Sequence, residues 1–142
     1  MRACISMLLM LSSVVAGAAE PIDGTKPLSC SVPSGHDCLP GQSECKPLTT
    51  DKYKTPVLDI DFARKEVRSP FRTALLTVTH TNVTSESLVL QGADLLFAWT
   101  ALIKKKSGTI TIAVTDREGA YVVFGKCKTV EKPEVSAKER LQ

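Results

Sequence analysis

From Thr109 to Thr115 the chain alternates without a break: Ile110, Ile112 and Val114 are separated by Thr111 and Ala113 and flanked by Thr109 and Thr115. Successive side chains on an extended strand point to opposite faces, so this pattern makes one face apolar. The β-branched residues favour a pleated, half-buried surface over a helix. The three- and four-residue spacing of an amphipathic helix is absent. A second alternation runs from Val57 to Val67, with Leu58, Ile60 and Phe62 on one face and Asp59 and Asp61 on the other. Ala63-Arg64-Lys65 is read as a turn into a short strand at Glu66 to Ser69. Pro70 breaks the pattern, and Ala74 to Thr79 restarts it with Leu76 and Val78 inward.

The stretch from Ser87 to Cys127 organises the rest. Leu88 and Leu90 alternate with Val89 and Gln91 until Gly92 ends the run. Leu95 to Ile103 is apolar almost throughout and holds the only tryptophan, Trp99; nine residues between turn signals predict a strand rather than a buried helix. The turn Lys104 to Gly108 ends in a glycine that can take a positive φ, and the turn Asp116 to Gly119 opens on an aspartate able to bond its own backbone. In the last run, Tyr121, Val123 and Cys127 share one face while Val122 and Phe124 share the other. Apolar residues on both faces predict a strand covered on both sides. Gly125 within it predicts a bulge or a close backbone approach. The fold expected is all-β: a small antiparallel meander, a barrel or strongly curled sheet of about six to eight strands, with a disulfide-linked amino-terminal arm.

The series Leu88, Leu90, Gln91, Gly92, Trp99, Gly108, Phe124, Gly125 and Cys127 resembles the carboxy-terminal half of a group of short, uncharacterised proteobacterial periplasmic proteins. Their tails similarly end in a Phe-Gly-x-Cys run, and they similarly carry several amino-terminal cysteines. The resemblance covers about half the chain and implies a fold and a compartment. It carries no activity and no functional residue.

Residues 1–18 have the three parts of a secretory signal peptide: Arg2, an apolar stretch from Ile5 to Val15, and Ala16-Gly17-Ala18 before the predicted cut. The apolar stretch is too short to span a bilayer, and no second one follows. A periplasmic or secreted location follows from this. Residues 19–50 are read as a cysteine-rich loop or arm, 51–127 as the β domain, and 128–142 as a charged, disordered tail. Glu20 to Lys26 is expected to be a loose terminus, and the three prolines and two glycines between Cys30 and Pro47 oppose regular structure beyond one edge strand at Leu28 to Val32. The 142 residues suffice for one domain. Removing Arg2 with the leader leaves 17 basic against 15 acidic residues, too even a balance for nucleic-acid binding.

Four cysteines then remain, Cys30, Cys38, Cys45 and Cys127, and an even count in an exported chain predicts disulfides. Of the three pairings we favour Cys38–Cys45 with Cys30–Cys127. His36 lies between two of them, but no C-x-x-C pair exists to start a zinc site, and no metal or cofactor is expected. Asp59 and Asp61 could form a paired acid site; solvated carboxylates on an exposed face are the plainer reading. His80 has no nucleophile or orienting acid near it in sequence, and Asn82-Val83-Thr84 is formally a glycosylation sequon.

No nucleophile motif or phosphate-cradling glycine loop is present, so an enzyme is not expected. Two binding functions remain. The first is an interaction module for a protein partner, with Lys104, Lys105 and Lys106 at a turn as the candidate contact. The second is a carrier for a small apolar ligand, with Leu95, Phe97, Trp99, Tyr121 and Val123 lining a pocket.

Overall fold

Each alternating run becomes a strand. The computed structural model describes residues 20–48, 56–71 and 75–131, and every regular element among them is a β-strand. In chain order these are β1 (Leu28–Cys38), β2 (Lys46–Pro47), β3 (Val57–Asp61), β4 (Glu66–Arg68), β5 (Leu75–Thr77), β6 (His80–Val83), β7 (Ser87–Asp94), β8 (Phe97–Lys104), β9 (Thr109–Asp116) and β10 (Ala120–Thr129). All pairs are antiparallel, in the spatial order β5-β4-β3-β1-β10-β9-β8-β7-β6, with β2 added beside β1. The all-β class is as expected. The strand count among the described residues rises to ten because β2 and β6 are short pieces that no alternation announced.

The sheet curls until its edges meet. β5 and β6, at opposite ends of the spatial order, are separated in sequence only by Val78 and Thr79. The Val78 N–H donates to the Lys65 carbonyl and the Thr79 N–H to the Gln91 carbonyl, both at 2.8 Å. The chain therefore leaves one edge and joins the other within two residues. Inward positions form one apolar core, including Leu28, Ile60, Leu88, Leu90, Ile103 and Ile110, each about fully buried. Burial of that apolar area from water is what drives the curl.

Several expectations need correction. The cysteine-rich segment is no edge: β1 lies inside the sheet, paired along one side with β10 and along the other with β3 and then β2. Pro33, which cannot donate a ladder bond, is accommodated because the β1–β10 register shifts between Ser31 and Ser34. Gly125 faces this bulge, where a side chain would run into the Ser31 carbonyl and Val32. Glu20 to Lys26 is not loose. Ile22 is buried in the core, Asp23 accepts hydrogen bonds from the Thr25 N–H and hydroxyl, and Lys26 pairs with Glu20 at 2.7 Å.

Gly92 does not end its strand. β7 continues to Asp94, and Gly92 sits opposite Trp99 because the indole occupies the space a side chain would need. β10 is covered on one face only; Val122 is half-buried and Phe124 lies exposed on the outside. β10 also runs through Thr129, two residues into the stretch read as tail. The leader at 1–18 and the tail beyond residue 131 lie outside the described residues.

Candidate functional site

Both favoured disulfides are present. Cys30 and Cys127 stand opposite each other in the β1–β10 register and are bonded across it. Cys38 and Cys45 close the loop that carries Leu39 to Glu44. With its neighbouring cysteines bonded, His36 instead meets Phe124 edge-on, the ring centroids 6.5 Å apart at 72°.

The carboxylates and histidines that could carry chemistry are dispersed. Asp61 accepts from the Arg64 N–H at 3.0 Å and so caps the β3–β4 turn, with the Arg64 guanidinium 3.7 Å away. Asp59 points outward from β3, opposite Arg68 on β4. His80 and Asn82 are exposed on β6. Among the described residues no three His, Cys, Asp or Glu side chains gather closely enough to hold a metal ion.

The pocket residues separate. Phe97, Trp99, Tyr121 and Val123 do face one interior space, together with Phe71 and Leu76. That space is only about 30 Å³. It would hold about one or two waters, whereas small-molecule sites usually need ~300 Å³ or more. Its one hydroxyl of a serine, Ser69 Oγ, already accepts the Phe71 N–H at 3.2 Å. These side chains fill the core. Leu95 is elsewhere: β8 starts only at Phe97, and Leu95 with Leu96 forms the two-residue turn of the β7–β8 hairpin. Leu95 is 98% exposed and Leu96 53%. The apolar run concealed this turn, since no glycine, proline or asparagine marks it.

The lysine turn lies at the other end of the strands. Its shape depends on Gly108, whose φ is +70° and whose N–H donates to the Lys104 carbonyl at 2.8 Å. Lys104, Lys105 and Lys106 border an open groove that also includes Asp23 and Glu86. The Lys105 N–H donates to the Glu86 carbonyl, and the Thr25 hydroxyl bond, with Lys105 a lesser cause, holds Asp23 below its ordinary value. The groove is thus of mixed charge.

At the Leu95 end three features come together, of which the sequence had marked the disulfide loop and the aspartate turn but not the leucine tip, nor that the three are neighbours. The Cys38–Cys45 loop, the Asp116–Gly119 turn and the Leu95–Leu96 tip all project there, because β1, β7 and β9 end on the same side. Asp116 caps its own turn, accepting from the Glu118 and Gly119 N–H groups at 2.9 and 3.0 Å. Asp37, Leu39, Leu48, Phe71, Glu118 and Tyr121 border a groove between loop and turn. Only Leu39 gave any linear signal, as an apolar residue in a segment otherwise rich in turn formers. No family model matches the chain, and neither does any curated protein or solved structure.

Proposed function

We propose that this is an exported, non-catalytic binding module that meets a macromolecular partner at the end bearing Leu95 and Leu96. The observation that carries the reading is Leu95, 98% exposed at the tip of a two-residue hairpin. The tip of a hairpin faces water and is usually polar, and neither Leu95 nor Leu96 has the positive φ that would call for glycine or asparagine. Two leucines add exposed apolar surface and serve no turn geometry, and contact with a partner supplies a reason for them. The small interior space weighs against a carried apolar ligand. Two disulfides support an oxidising compartment, as does the leader-like sequence at residues 1–18. The resemblance to short periplasmic proteins agrees with that location.

The test is L95N/L96G, which removes the exposed apolar side chains from the tip. Tagged wild-type and variant proteins are recovered from the native compartment, and each captured protein is then purified and titrated back. The variant is expected to keep its fold, because both side chains are exposed, and to lose binding at least tenfold. Undiminished binding of the same partner, or a wild-type protein that binds nothing on reconstitution, would overturn the reading.

A further inference from the structure

We infer that the groove beside the Leu95–Leu96 tip receives a polypeptide segment that is both apolar and basic; this rests on the binding-module reading and names its partner's chemistry. The groove has an accessible volume of about 330 Å³. Its floor is apolar: Leu39, Leu48, Phe71 and Tyr121. Its charged lining is acidic throughout, from Asp37, Asp116 and Glu118, with no lysine or arginine among the lining residues. Arg117 and Lys46 are exposed nearby but do not line it.

The walls are held in place before any partner arrives. The Cys38–Cys45 disulfide fixes one wall, and Asp116 caps the turn that forms the other. Loop and turn are packed together, since a side chain on Gly119 would meet the Cys38 carbonyl. A wall already ordered adds little entropic cost on binding. Phe97 pairs with Asp116 in the β8–β9 register, so the leucine tip stands next to the acidic wall. Apolar anchors bordered by like charge select a partner of opposite charge and attract it over several ångströms in low salt. A bilayer surface fits less well, because the same carboxylates would face its phosphates.

The experiment follows backbone amide NMR shifts of the oxidised protein during titration. The probes are three short synthetic peptides: alternating leucine–lysine, leucine–glutamate and serine–lysine. Vesicles of neutral phosphatidylcholine form a separate arm. Saturable binding of the leucine–lysine peptide is expected, with shifts at Leu39, Glu118 and Tyr121. D37N and E118Q, which remove charge while keeping side-chain size, should each weaken it by roughly two- to fivefold and flatten its salt dependence. Equal binding of the leucine–glutamate peptide, shifts centred on the lysine turn, sedimentation with vesicles, or no saturable binding would each overturn the inference. A captured native partner that is lost in L95N/L96G but retained in D37N/E118Q would sink the inference while leaving the module reading intact.

Discussion

Single residues set the tolerances of this sheet, and Gly92 is the sharpest case. A side chain there would collide with the Thr77 carbonyl and with the Trp99 indole, which lies across it from the next strand. Neither can retreat, because Trp99 is 94% buried and the Thr77 backbone belongs to β5, held just before the Val78–Thr79 link between the two edges. Gly92→Ala should therefore cost about 1–3 kcal/mol, the usual range for overpacking. Urea unfolding monitored by Trp99 fluorescence measures this, and an unchanged midpoint would refute the packing argument. Asp23 offers a second prediction. Its carboxylate is held below the ordinary value chiefly by the Thr25 hydroxyl. A depressed folded-state pKa favours folding above the unfolded value and loses that contribution as pH falls through the folded one. Thr25→Val should raise the Asp23 pKa toward its ordinary value, as read by carboxyl NMR titration.

At the scale of elements, the two disulfides do unequal work. Cys30–Cys127 spans 97 residues and joins the first long strand to the last, whereas Cys38–Cys45 spans 7. Chain entropy assigns about 4–5 kcal/mol to the first and about 2 kcal/mol to the second. C30A/C127A should thus lower the denaturant midpoint about twice as far as C38A/C45A. Equal losses would show that the long link acts on a denatured state already compact. How legible these elements were depends on how local their signals are. Ile110, Ile112 and Val114 announced β9 correctly because alternation is a property of one segment. The Asp116 and Gly108 turns were equally readable, since each is fixed by one residue's own chemistry. β1 was read too short and placed at an edge because Pro33 reads as a strand breaker. Its tolerance depends on the bulge opposite Gly125, about 90 residues away in sequence.

For the whole molecule, the decisive feature is a strongly curled half-barrel sheet whose two edges are linked through one short segment and which is stapled across its middle. The fully buried apolar side chains point inward, while Val57, Val83, Leu102 and Phe124 lie exposed on the outer face among threonines and lysines. No helix among the described residues is long and apolar enough to cross a membrane. Stability should be graded across the sheet. β1 and β10 pair over most of their length, are disulfide-bonded and sit in the centre of the strand order. β5 and β6 are short, largely exposed edges. Hydrogen exchange should therefore be slowest in β1 and β10 and fastest in β5 and β6. Uniform protection through β5 and β6 would mean that the junction at Val78 closes the barrel more firmly than its few bonds suggest.

The linear chain determined the fold class, the inward faces and the marked turns, and narrowed the cysteine partners to three pairings, of which the structure shows the favoured one. Each follows from periodicity, from a residue's own backbone preference or from a short list of pairings. Tertiary structure decided what depends on distant partners. It set β1 in the centre, ended β7 beyond Gly92, moved Leu95 from a supposed pocket wall to an exposed tip, and drew Asp37, Leu39 and Glu118 around one groove. A strand's own pattern says which face is apolar. Only its neighbours' register says where it stops, and only the curl of the sheet says which ends meet.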